Sequence, residues 1–251
     1  MGTLRAIAAA TAWLGAAASS TVQGQAFDVP PVQWPAVAER AMSVQGFVPD
    51  GWRLEHHVEG RLDDDARPDL LILLRMQDPA NIVEHDGLGM SPFDTNPRML
   101  VIALADPDGG YRRALVDRAL IPRPESPVMD DVLQDDPAHA IRIADNRAFS
   151  VALHSWASAG SWFTSRRSFT FRWQDGCFRL IGLDTFELHR GSGATAEASI
   201  NYLTGRAWTR TGSIEDDDGD RQPHRLAKRS MICLEDVGDG LSFQSGLTVE
   251  D

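Results

Sequence analysis

Two uninterrupted apolar runs organise the chain: Leu70-Leu71-Ile72-Leu73-Leu74 after Asp69, and Met99-Leu100-Val101-Ile102-Ala103-Leu104. Both are bounded by charged and turn residues and fall far short of the ~20 apolar residues that span a bilayer. Runs of this length predict strands buried on both faces. Further along, Phe169, Phe171 and Trp173 alternate with Thr170 and Arg172, the period-2 pattern of a strand with one wet face. Asp106-Pro107-Asp108-Gly109-Gly110, Asp145-Asn146, Asp175-Gly176 and Thr204-Gly205 separate such segments and predict successive hairpins. Near the start, Val37, Ala41 and Val44 recur at helical spacing, which predicts a short N-terminal helix ending at Gly46. The fold class is therefore mainly β: antiparallel sheets, meander or sandwich-like, of about ten strands, with one short N-terminal helix. No composition shift divides residues 27–251, so they are read as a single domain with long loops at 122–137 and 214–224.

The first 26 residues are different in kind. Arg5 precedes an apolar run over 6–18 and a small-residue stretch ending Gly24-Gln25-Ala26. That layout predicts a secretory signal peptide cleaved after Ala26, and hence a periplasmic or secreted protein. An exported chain meets an oxidising compartment, where Cys177 and Cys233 could pair; two buried free thiols are the other reading.

Composition narrows the partners. The chain has 36 Asp plus Glu against 24 Lys plus Arg, a formal charge of −12. A phosphate backbone needs clustered cationic charge, so nucleic acid is excluded and cations or basic proteins are favoured.

One stretch carries specific chemistry. Arg61-Leu62-Asp63-Asp64-Asp65-Ala66-Arg67-Pro68-Asp69 runs straight into the first apolar strand. It resembles the Asp-rich loop of FG-GAP or VCBS-type repeats, in which oxygen ligands at alternate positions wrap calcium. The resemblance implies Asp63, Asp65 and Asp69 as metal ligands at the third, fifth and ninth loop positions. Two positions depart from that pattern: Arg61 stands where an acid is expected and Ala66 where a glycine is. A guanidinium cannot deprotonate beside a cation, so the expectation is a metal-free loop in which Arg61 replaces the ion and pairs with one of the three carboxylates. Segments around Trp52, Phe178 and Ser199 extend a likeness to an exported bacterial family carrying one such degenerate loop. No second copy at a fixed period accompanies it, so a propeller is not implied.

Other constellations are less specific. His57 and Glu59 share a strand face but lack a third zinc ligand, and Glu84-His85-Asp86 lies in a Gly-rich loop. Serines 155, 158 and 161 near His154, with Asp184 later, lack a GxSxG elbow. Asp184 and Glu187 would serve a glycosidase only if they converge in space. Acids at 215–220 read as a solvated hairpin tip. Trp156 and Trp162 flank a small-residue turn and, with Arg166 and Arg167, form the candidate binding face. The leading expectation is an exported, non-catalytic binding domain for an envelope protein or glycan, cationic in character, with no cofactor beyond the calcium question. A hydrolase acting on envelope polymers is the competing expectation.

Overall fold

The computed structural model describes residues 29–134, 136–216, 219–226 and 231–247; the signal-like segment 1–26 and the acids Asp135, Asp217 and Asp218 lie outside the described residues. The fold is mainly β and all its strand pairs are antiparallel. A five-stranded sheet has the order β1 (Arg40–Ala41), β7 (Tyr111–Asp117), β6 (Arg98–Ala105), β3 (Asp69–Met76), β2 (Trp52–Gly60). A seven-stranded sheet has the order β14 (Gln222–Arg225), β13 (Arg206–Ser213), β12 (Ala194–Asn201), β11 (Cys177–His189), β10 (Phe163–Gln174), β9 (Ala148–Ser155), β8 (Ile141–Ile143). Strands β4 (Ile82–Val83) and β5 (Phe93–Asp94) form a small ribbon. The second large sheet is a true meander, each strand pairing with the next in the chain.

The two long apolar runs are neighbours, β3 against β6, at the centre of the smaller sheet. Period 2 splits their side chains between two cores. Leu71, Leu73, Leu100, Ile102 and Leu104 meet Phe149, Val151, Phe169, Phe171, Phe178 and Leu183 of the meander. Leu70, Ile72, Leu74, Met99 and Val101 face the other way, under Val37, Phe47 and Trp52. Each such side chain contributes about 1.5–3 kcal/mol on full burial, so the uninterrupted pattern reflects a sheet covered on both sides. All four predicted hairpins are present. At the tightest, Asp175 (φ 54°) and Gly176 (φ 87°) both lie in the left-handed region between Gln174 and Cys177, as a type I′ hairpin requires.

The N-terminal helix is replaced by β1 and a 3-10 turn, Val44–Phe47. Val37, Ala41 and Val44 do face the core, but the chain reaches it extended. The Glu39 carbonyl accepts from Arg113 N at 2.8 Å and the Val37 carbonyl accepts from the Arg113 guanidinium. Docking on the edge of β7 takes the carbonyls that a helix would have used. The described α-helix is instead α1, Pro137–Ala140, capped by Asp136. The predicted surface loop at 122–137 is partly interior, with Val132 and Leu133 buried.

Cys177 and Cys233 form a disulfide. It ties the start of β11 to a strap, residues 231–247, laid over the core face of the meander. Phe243 meets Phe169 edge-on at 5.8 Å between ring centroids. Tyr202 Oη donates to the Ser245 carbonyl at 3.0 Å, and burial pushes its hydroxyl pKa up to about 12. Gly240 passes so close that a Cβ there would sit 2.8 Å from the backbone carbonyl oxygen of Leu120 as well as 2.5 Å from Leu153 Cδ1; glycine lets the backbone approach this closely.

Candidate functional site

The Asp-rich loop joins β2 to β3 and is built on Asp69, a fully buried carboxylate. Its oxygens accept from the backbone N–H of Leu62 (2.7 Å), Asp63 (3.3 Å) and Ala105 (2.9 Å). Burial pushes its carboxyl pKa up, against the pull of these donors. Asp63 accepts from Asp65 N at 2.9 Å, and Asp65 accepts from Arg67 N at 2.7 Å and pairs with the Arg67 guanidinium. Asp64 pairs with Arg147 of the β8–β9 turn. The expected role of Arg61 is therefore corrected: it is exposed and makes no ion pair with Asp63, Asp65 or Asp69 among the described residues. Arg67 and Arg147 supply the cations. Asp69 points inward while Asp63 and Asp65 close successive turns, and no group of three or more His, Cys, Asp or Glu side chains is arranged to hold a metal among the described residues.

A charged cluster unseen in the sequence lies at the opposite end of β3. Arg53, Arg75 and Arg98 stand in register across β2, β3 and β6. Arg98, 3% exposed, is clamped by Glu55 (2.6 and 3.0 Å) and by Asp131 (2.9 and 2.8 Å). Glu55 occupies the bulge in β2 between Leu54 and His56, and a bulge re-aims the side chain it carries. Asp94 takes the far end of Arg75 at 2.9 Å. Burial opposes ionisation of Asp131, but the hydrogen bonds from Arg98 outweigh it and hold the carboxyl below its ordinary range. The cluster pairs three cations with three carboxylates, so its role is to pin the loop before α1 onto the smaller sheet.

The predicted binding face divides into parts. Trp162 is 67% exposed. Trp156 is half-buried under Arg190, whose guanidinium lies 4.9 Å from the ring centroid and donates to the carbonyls of Ala157 and Ser161. Arg166 and Arg167 are consecutive on β10 and so project to opposite sides. Arg167 donates to the carbonyls of Gly240 (3.1 Å) and Phe243 (2.8 Å), holding the strap, while Arg166 stands opposite His154 on the outer side. What does gather around Trp162 is a set the sequence did not announce. Phe163, 48% exposed, meets His189 edge-on at 4.9 Å. Arg190 N donates to the Trp162 carbonyl, and Ile214 N to the Gly193 carbonyl. These bonds bring three connections of the meander to one end, where Ile214, also 67% exposed, stands beside Gly193. Glu215 and Asp216 follow it directly.

The candidate catalytic groups are dispersed. Asp184 and Glu187 fall on opposite faces of β11: Asp184 pairs with Ser168 and Glu187 with Ser165. Ser161 Oγ accepts from Phe163 N at 3.0 Å within its own turn. His154 lines a cavity of about 330 Å³ with Arg166, His139 and Asp136, and burial lowers its pKa. His57 and Glu59 form a pair at 3.9 Å at the strand surface. No helix among the described residues is long and apolar enough to cross a membrane. Compared with known proteins, the chain matches no family model, no curated protein and no solved structure.

Proposed function

We propose that the protein is an exported, non-catalytic binding domain that engages an envelope protein through the end of the meander bearing Trp162, Phe163 and Ile214. The observation that carries this reading is the exposure of three large apolar side chains on adjoining connections. Contiguous apolar surface rimmed by charge is the usual mark of an interaction site. The acids following Ile214, and the net charge of −12, favour a partner that presents basic and aliphatic side chains, and attraction of this kind speeds encounter at low salt. The signal-like N-terminus and the disulfide support an oxidising, exported location. Calcium has no part in this reading, since Asp69 is already fully engaged by backbone donors. The hydrolase reading lacks support because its acids and its serine do not converge.

Titration with a short lysine-leucine peptide tests the site. Wild type is expected to bind, with affinity falling as salt is raised, and Trp162→Ala is expected to weaken binding by about tenfold or more, as hot-spot aromatics do. Equal binding of a glutamate-leucine peptide, or indifference to Trp162→Ala, would sink the reading. Binding of an envelope glycan at this end in place of the peptide would transfer the site to a glycan.

A further inference from the structure

We propose a second binding site, on the outer face of the meander across β12, β13 and β14, that takes an anionic glycan, a saccharide chain bearing carboxylates. Arg206 stands directly opposite Arg225 across β13 and β14, and Asn201 opposite Arg206 across β12 and β13. Directly opposed residues in a sheet bring their Cβ atoms to about 4.5–5.5 Å, and like charges there are destabilising.

Other arginines oppose one another in this fold, and each of those sets includes a carboxylate. Arg40 and Arg112 have Asp106; Arg172 and Arg179 have Asp175; Arg53, Arg75 and Arg98 have Glu55. Arg206 and Arg225 differ: among the described residues no carboxylate lies within ion-pair distance of either. In a chain with twelve more acids than bases, an uncompensated pair of this kind marks a place kept for an anion. Planar guanidinium groups hold carboxylates through paired hydrogen bonds.

The pair lines an open groove of about 810 Å³ together with Ser199, Asn201, Thr204 and Trp208. A third guanidinium, Arg221, lies 4.1 Å from the Trp208 ring centroid. The remaining lining suits a hydroxylated chain. Asn201 Oδ1 accepts from Thr204 N at 2.9 Å, which directs the amide NH2 outward, and the Ser199 side chain adds a hydroxyl. A membrane surface is disfavoured because no large aliphatic side chain lines the groove. A densely charged polyanion such as nucleic acid is repelled by the net charge. A glycan spaces its charges more widely and needs only the local cations.

Calorimetric titration of the intact, disulfide-bonded protein with a short oligogalacturonate, its methyl-esterified neutral form and inorganic phosphate tests the assignment. Wild type and Arg112→Gln are expected to bind the oligogalacturonate alone, and Arg206→Gln/Arg225→Gln to lose about tenfold or more in affinity. Melting of the double variant without ligand is expected at an unchanged or higher temperature, since a repulsion has been removed. Four binding results would overturn the site: no oligogalacturonate binding, equal binding of the ester, phosphate binding as tight as that of the oligomer, or a double variant that binds like wild type. A double variant that melts lower would also overturn it, by giving the arginines a folding role. Trp162→Ala is expected to retain oligogalacturonate binding, so this site stands or falls separately from the Trp162 end.

Discussion

Arg98 of β6 and Asp131 of the loop after β7 face each other through two parallel hydrogen bonds of 2.9 and 2.8 Å, with Arg98 only 3% exposed. Removing Asp131 takes away two of the four carboxylate hydrogen bonds to Arg98, which keeps Glu55, and hydrogen bonds to charged groups contribute about 1.5–3 kcal/mol. Asp131→Ala is expected to lower stability by that amount in urea unfolding. A loss below about 1 kcal/mol, the range of an exposed ion pair, would contradict the clamp.

Asp69 is the keystone of the Asp-rich loop. Asp69→Ala leaves the N–H groups of Leu62, Asp63 and Ala105 without their acceptor, and each buried donor stranded in this way costs about 1–3 kcal/mol. The variant is expected to be strongly destabilised, whereas Arg61→Ala, at an exposed position, is expected to melt like wild type. Calcium titration followed by calorimetry is expected to give no binding at micromolar concentrations. Measurable calcium binding abolished by Asp65→Ala would restore the repeat-like metal site.

Acid sensitivity is expected to begin with histidines. Burial lowers the pKa of His56, helped by His57; burial also lowers that of His154, with Asp130 opposing and Arg166 reinforcing the shift. A histidine whose folded pKa is depressed contributes stability that is present above its unfolded value, about 6.5, and lost as pH falls through the folded value. Asp131 adds a second loss below about pH 4, because its folded pKa is also depressed. Asp69 and Asp117, both raised by burial, act oppositely, stabilising below their unfolded value and losing that contribution as pH rises through the folded one. The melting temperature of wild type is expected to fall between pH 6.5 and 5 more steeply than that of His56→Gln/His154→Gln. Parallel curves would contradict this.

The disulfide spans a sequence separation of 56, for which the chain-entropy account gives about 4 kcal/mol. Cys177→Ser/Cys233→Ser is expected to lose 2–5 kcal/mol and to free the strap first, with faster amide exchange at Gly240, whose N–H bonds the Leu120 carbonyl. Uniform loss of protection across the fold would argue against the strap as a separate unit.

How far the sequence could be read depended on whether a residue's role was local. Runs such as 70–74 and turns such as Asp175-Gly176 encode burial and φ requirements within a few residues, so strands and hairpins were legible. Val37, Ala41 and Val44 were rightly seen to share a buried side, but periodicity cannot reveal that Arg113 would take the carbonyls of Val37 and Glu39 and hold this segment extended. β10 and β11 extend well beyond the Phe169–Trp173 alternation, and Thr164, Ser165, Thr185 and Glu187 in those extensions carry no apolar signal. The clamp was invisible for another reason: Glu55, Arg98 and Asp131 lie 43 and 33 residues apart, and a β-bulge aims the first. Of the candidate face, Trp162 was recognised, whereas Phe163, His189 and Ile214 join it only through meander topology.

The interaction reading is tested most directly by placing a photo-crosslinking amino acid at position 162, at 214 and, as a control, at the exposed Arg112 in cells that make the full chain. The expected result is one discrete adduct with the same envelope protein from positions 162 and 214, absent at 112 and lost when Glu215 and Asp216 are changed to Gln and Asn. No adduct from either position, or the same adducts at 112, would contradict it.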